Sequence, residues 1–213
     1  GVTNIITFDA HDPRVQNAIP LSGFDSFDPP YQFLKALFRE VPDIRPDKEH
    51  LMIVSPDEGA MHRAVYFSNV LGVDMGMFYK RRDYSTVVNG KNPIVAHEFL
   101  GDDVTGKDVI IVDDMISSGE SMIDVATELK RRNANRIFVA STFGLFTNGL
   151  EKFDEAYKSG LIYRVMTTNL VYQPEELLQR EYYINVDMSK YIALLIDTLN
   201  HDSSIAEYLN PTE

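Results

Sequence analysis

Short apolar runs alternate along the chain with segments in which apolar residues return every three or four positions. The first kind reads as strands and the second as amphipathic helices. Their alternation predicts an α/β fold, a mostly parallel twisted sheet flanked by helices. Strands are expected at 5–9, 51–55, 75–80, 109–113, 137–141, 162–167 and 182–186, with a less regular one at 94–100. Val109-Ile110-Ile111-Val112 is apolar without a break, as a central strand covered on both faces requires. Met122, Val125, Ala126 and Leu129 mark a helical stripe. Lys130, Arg131 and Arg132 follow it, where the helix dipole favours cations. Met188, Ile192, Leu195 and Leu199 mark another helix near the end, and 31–40 and 62–71 carry weaker helical patterns. Residues 20–30 and 81–93 are rich in Gly, Pro, Asp, Ser and Asn and read as loops.

Composition narrows the function more than the fold. With 213 residues the chain can bury a substantial core. Its 20 Lys+Arg against 32 Asp+Glu give a net charge of −12, which argues against nucleic-acid binding and against docking on an anionic membrane. The residues beyond Leu150 hold 11 acidic and 5 basic side chains, so phosphate chemistry is expected in the first two-thirds. The absence of cysteine excludes disulfides, thiolate catalysis and Cys-based metal sites. No apolar stretch reaches the length of a membrane span, and a cytoplasmic protein is expected. Gly1 stands directly before a strand-like run, which suggests a chain cut from a longer one.

The richest stretch is Val109 to Ser121, where a buried strand ends in Asp113-Asp114 and a turn of Ser117, Ser118 and Gly119 leads into a helix. Parallel sheets bind ligands at the carboxyl ends of their strands, and a helix N-terminus offers free N–H groups to phosphate. Ser121 adds a further hydroxyl, and Asp113 and Asp114 are placed to take sugar hydroxyls directly or through Mg²⁺. Strand alternation puts these two acids on opposite sides. An ordinary capped helix would give the same pattern. Asp57, Glu58, Gly59 and Ala60 form a second strand-to-helix turn, with Asp57 a possible metal ligand. Lys80, Arg81 and Arg82 cluster at a strand end; alternation places Lys80 and Arg82 on one side, and also Asp9 and His11.

Val112-Asp113-Asp114-Met115-Ile116-Ser117-Ser118-Gly119-Glu120-Ser121 resembles the ribose-phosphate-binding signature of the type I phosphoribosyltransferase fold. Within that fold the other motifs are similar to those of the ribose-phosphate pyrophosphokinase family. Phe8-Asp9-Ala10-His11 resembles its Mg·ATP-holding Asp-Leu-His segment, and Val54 to Ala64 its pyrophosphate loop. Tyr79-Lys80-Arg81-Arg82 resembles the start of its flexible catalytic loop, and Ser203 to Leu209 its C-terminal end. The resemblance implies diphosphoryl transfer from Mg·ATP to the C1 hydroxyl of ribose 5-phosphate, giving phosphoribosyl pyrophosphate and AMP. It assigns Lys80 and Arg82 to catalysis, and Asp113, Asp114, Ser117, Ser118, Gly119 and Ser121 to ribose 5-phosphate. Asp57, Glu58, Gly59, Ala60 and His11 fall to the diphosphate and ATP, and Asp9, His11 and Asp57 to the metal. It further implies homo-oligomers, and that residues 1–213 are one catalytic domain forming the C-terminal part of a two-domain protein.

Three positions depart from the family pattern. Ser117 stands where an acid is usual and cannot act as a general base at neutral pH, so that role moves to Asp113 or Asp114. Glu120 would repel a 5′-phosphate unless it points outward, and Ala60 replaces a glycine, at a cost of about 1 kcal/mol if its φ must be positive. Two other readings compete. A phosphoribosyltransferase that consumes phosphoribosyl pyrophosphate needs a base-binding hood, for which residues 20–30 are the one candidate. A non-catalytic relative fits the three departures but not the retention of Asp9, His11, Lys80, Arg82, Asp113 and Asp114.

Overall fold

The computed structural model describes residues 1–82 and 94–205, without the side chains of 80–82 and 94–97. Seven strands form the main sheet: β3 (Leu51–Ser55), β4 (Asp74–Arg82), β5 (Ile94–Leu100), β6 (Asp108–Ile116), β7 (Ile137–Gly144), β8 (Arg164–Thr168) and β9 (Tyr183–Val186). Their spatial order is β5-β4-β3-β6-β7-β8-β9, parallel throughout except for the β4–β5 pair. A separate parallel pair, β1 (Asn4–Phe8) and β2 (Gly23–Phe27), precedes it. Phe8 and Phe27 of that pair pack on Tyr191 with ring centroids 5.9 and 6.3 Å away.

Helices cover both faces because the central strands are apolar on both. On one side α1 (Pro30–Glu40), α2 (Met61–Leu71) and α6 (Ser189–Asn200) pack against Leu51, Ile53, Ile110 and Val112. On the other side α3 (Glu120–Arg131) and α4 (Glu151–Lys158) pack against Met52, Val54, Val109 and Ile111. The short helix α5 (Glu175–Leu178) adds Leu177 to this second core. Alternate residues of β3 and β6 therefore feed two separate cores, which is why neither strand shows a polar face in the sequence.

One expectation needs correction, and one helix was not expected. Residues 20–30 are not a loop throughout, since Gly23–Phe27 forms β2, paired residue by residue with Asn4–Phe8. Its turn-like residues hide a strand whose existence depends on a partner 19 positions earlier. The helix α4 carries no long stripe; only Phe153 and Ala156 are buried in its eight residues, too short a period to read. Among the described residues no helix is long and apolar enough to cross a membrane.

Candidate active site

Strand order reverses between β3 and β6. From β3 the chain runs outward through α2 to β4, and from β6 it runs the opposite way through α3 to β7. Diverging helices leave a crevice beyond the carboxyl ends of such a strand pair, the usual ligand position in an open parallel sheet. A cleft of about 600 Å³ opens there, lined by His11, Asp57, Gly59, Ala60, Arg63, Asp113, Asp114 and Ser117 among others. That volume suits a phosphorylated sugar or a nucleotide.

Asp113 and Asp114 both line this cleft, although Asp113 alone also reaches the small pocket beside Arg63. The backbone N–H of Asp114 donates to Asp113 Oδ1 at 2.9 Å, which couples the two at the strand end. Burial, reinforced by the hydrogen bond with Asp114, pushes the Asp113 carboxyl up to about 7. Burial works against ionising Asp114 too, but hydrogen bonds from His11 and Asp113 and the charge of Arg63 hold it below the ordinary carboxylate range. His11 Nδ1 donates to Asp114 Oδ2 at 2.6 Å, and that bond raises the imidazole pKa.

The two turns differ in how they satisfy their N–H groups. In the first, Gly59 and Ala60 donate to Asp57 Oδ1 at 2.9 and 3.4 Å. Ala60 has φ −88°, so no glycine is needed there and the expected strain is absent. In the second, Gly119 is left-handed at φ +78°, and an added Cβ would lie 2.3 Å from Phe153. Gly119, the N-cap of α3, has no side chain to cap it, and Ser118 Oγ accepts from the Glu120 N–H at 3.4 Å. Ser117 Oγ lies 3.4 Å from Thr147 Oγ1. Glu120 is drawn outward by Lys152, whose Nζ donates to Oε1 at 2.5 Å.

Asp9 and His11 are not brought together. Asp9 has φ +45°, and this left-handed residue ends the strand alternation that would have placed them side by side. Asp9 turns inward to Arg63 and Thr142, while His11 stays exposed in the cleft. Asp9, His11 and Asp57 accordingly form no converging ligand set; among the described residues only Asp47, Glu49 and His50 do, away from the cleft. Mg²⁺ does not require a full protein cage, because it is usually held by one or two carboxylates together with substrate phosphates and water. Asp57, Asp113 and Asp114 fit that chemistry; Asp9 does not. Lys80 and Arg82 close β4, where the register with β5 shifts between Arg81 and Arg82. Their side chains, the rest of the loop expectation at 83–93, and residues 206–209 lie outside the described residues. His62, Arg14 and Arg63 also line the cleft and were not singled out from the sequence. Arg63 lies within the motif quoted from Val54 to Ala64, but nothing in its spacing marks it.

Residues 35–179 match the phosphoribosyl transferase domain, and the chain belongs to that family. Within it, the similarity is to proteins named ribose-phosphate pyrophosphokinase. The protein of that name from Ureaplasma parvum is 30% identical over 172 residues, 80% of this chain and 48% of that protein. The one from Vibrio cholerae is 27% identical over 211 residues, 99% of this chain and 62% of that protein. The chain thus spans about half to three-fifths of the length of these relatives. The crystal structure of phosphoribosylpyrophosphate synthetase from Mycobacterium smegmatis superposes with a TM-score of 0.74 at 20% identity. It covers 95% of this chain and 60% of that one, a likeness of fold.

Proposed function

We propose that this chain carries the sugar-phosphate half of a ribose-phosphate pyrophosphokinase. The observation that carries the reading is the convergence of Asp113, Asp114, Ser117 and the Asp57 turn on one cleft at the strand-order reversal. In the proposed reaction the C1 hydroxyl of ribose 5-phosphate attacks the β-phosphorus of ATP. The new C1–O–P bond forms as the bond from the β-phosphorus to the bridging oxygen breaks, and AMP leaves with that oxygen. The Ser117–Ser121 turn binds the 5′-phosphate through hydroxyls and the N-terminus of α3. Asp113 and Asp114 hold ribose hydroxyls. A carboxyl raised to about 7 suits the uptake of the C1 hydroxyl proton near neutral pH, and Asp113 takes that role.

The diphosphate lies against the Asp57 turn and His11, with Glu58, Gly59 and Ala60 beside it. Mg²⁺ bound with the substrate phosphates would neutralise their charge at Asp57. Lys80 and Arg82 supply positive charge to the transferring group, the main demand of phosphoryl transfer. The same reading takes ribose 5-phosphate and ATP as the ligands, the cytoplasm as the location and a homo-oligomer as the assembly. The phosphoribosyltransferase reading would instead place a base-binding hood at residues 20–30, where β2 occupies the middle of the segment.

Calorimetric titration with ribose 5-phosphate tests the reading. Saturable binding is expected, and the Ser118→Asp/Ser121→Asp double variant, which puts two carboxylates at the phosphate turn, should lose it by 100-fold or more (~3 kcal/mol). Equal affinity in a folded double variant would move the phosphate elsewhere and sink the assignment.

A further inference from the structure

A charge cluster centred on Arg63, in the wall of the cleft, is left unused by the proposed chemistry. Arg63 sits in the first turn of α2 and Asp9 just past β1, with side chains only 5% and 4% exposed. Arg63 Nε donates to Asp9 Oδ1 at 2.5 Å, and Thr142 Oγ1 donates to Asp9 Oδ2 at 2.5 Å. Both oxygens of Asp9 are therefore committed. The guanidinium also lies near Asp114, with Nη2 3.9 Å from Oδ2, the oxygen that accepts from His11. Nη2 is buried and has no hydrogen-bond partner. A buried donor left unpaired is costly, so its place needs a reason. The pocket beside it, lined by Asp9, Asp28, Asp113 and Thr142, has about 10 Å³, room for one water and too little for a ligand.

We propose that Arg63 is a positioning residue. Anchored by Asp9 and Thr142, its guanidinium fixes the Asp114 carboxylate, and through it the Asp113–Asp114 pair, in the orientation that receives the sugar. Arg63 acts through Asp114 and does not touch the ligand. The rigid guanidinium fork can face two carboxylates at once, which a lysine ammonium cannot reproduce. The left-handed turn at Asp9 serves the same end, since it swings that carboxylate under α2. The inference rests on the sugar reading of the cleft.

Titration with ribose 5-phosphate, beside thermal melting, compares the wild type with Arg63→Lys, Asp9→Asn and Arg180→Lys. The last alters an ion pair with Asp154 outside the cleft lining. Below their melting temperatures, Arg63→Lys and Asp9→Asn are expected to bind at least tenfold more weakly, and Arg180→Lys within twofold of wild type. A lowered melting temperature with unchanged affinity would assign Arg63 to stability alone and overturn the proposal. Should either variant fail to fold, Thr142→Val removes one anchor while keeping the shape, and a loss of about threefold is expected; none would count against the proposal. If the wild type itself does not bind ribose 5-phosphate, the sugar reading fails and the Asp114 carboxyl carbon resonance decides. Arg63→Lys and Asp9→Asn should move that signal and leave that of Asp103 in place, and an unmoved Asp114 signal overturns the positioning role.

Discussion

The turns after β3 and β6 look alike in the sequence and are built on opposite principles. At the first, the protein supplies its own anion: Asp57 Oδ1 accepts from Gly59 and Ala60, and Ser55 Oγ donates to the Asp57 carbonyl at 2.6 Å. At the second, the helix starts on a left-handed glycine, which has no side chain to cap it, and the acid of its first turn is drawn toward α4. An arriving phosphate must compete with a carboxylate at the first turn and with hydroxyls at the second. The difference points to the second turn as the tighter phosphate site. It also shows why an acid near a helix start cannot be read as favourable or unfavourable until its direction is known.

The largest expected difference between the turns is steric. Gly119→Ala places a Cβ against Phe153 at a φ that L-residues avoid, and a loss of about 3 kcal/mol is expected. For a chain of this length that lowers the melting temperature by roughly 6–12 °C. Gly59→Ala in the other turn meets only the Asp57 carboxylate, at 3.2 Å, and should cost less than about 1 kcal/mol. Thermal melting of the two variants checks the contrast, and equal losses would mean that the second turn is not the one the backbone has specialised.

What the sequence revealed follows the same division between local and distant determinants. Leu51–Ser55 and Ile94–Leu100 were read with the observed bounds, and α1 and α2 to within a residue, because each rests on its own pattern. The cleft residues at the ends of β3 and β6 were legible because each belongs to one contiguous strand–turn–helix unit. The Asp9–Arg63–Thr142 cluster was not, since its members lie 54 and 133 positions apart and meet only in the folded chain. Nor could alternation be trusted at Asp9, where a single positive φ breaks it. Periodicity holds within an element and fails at its ends, which is where the candidate site lies.

The carboxylates of the two strand ends sharpen the comparison at intermediate magnitude. Asp57 is occupied by its own backbone, whereas Asp113 resists ionisation, with its pKa raised to about 7. A carboxyl whose pKa is raised in the fold favours folding most when protonated. That contribution is intact below about pH 4 and declines as pH rises to about 7, above which it is gone. Asp114, lowered, loses its own contribution only as pH falls below the ordinary carboxylate value, so the two windows separate. Asp113→Asn keeps the acceptor for the Asp114 N–H and removes the charge. Denaturation across pH 4–8 should show the variant gaining on the wild type as pH rises, by about 1.4 kcal/mol or more at pH 8, the worth of one pKa unit. A constant difference over that range would mean that Asp113 ionises normally.

The smallest expected effect concerns Glu120, the acid that the second turn could have used as the first uses Asp57. Lys152 holds it outward on an exposed pair, with side chains 48% and 61% accessible for Lys152 and Glu120 respectively. Pairs so exposed contribute little to stability, and a charge pointing into water is screened over about 8 Å at physiological salt. Glu120→Gln should therefore leave the melting temperature within about 1 °C. It should raise ribose 5-phosphate affinity less than about threefold at low salt, and the gain should vanish at roughly 0.5 M salt, where screening reaches only a few ångströms. A tenfold gain that survives high salt would mean that Glu120 swings into the turn and occupies it in the unliganded protein. The two turns would then be self-capped alike, and the phosphate preference drawn from their difference would fall.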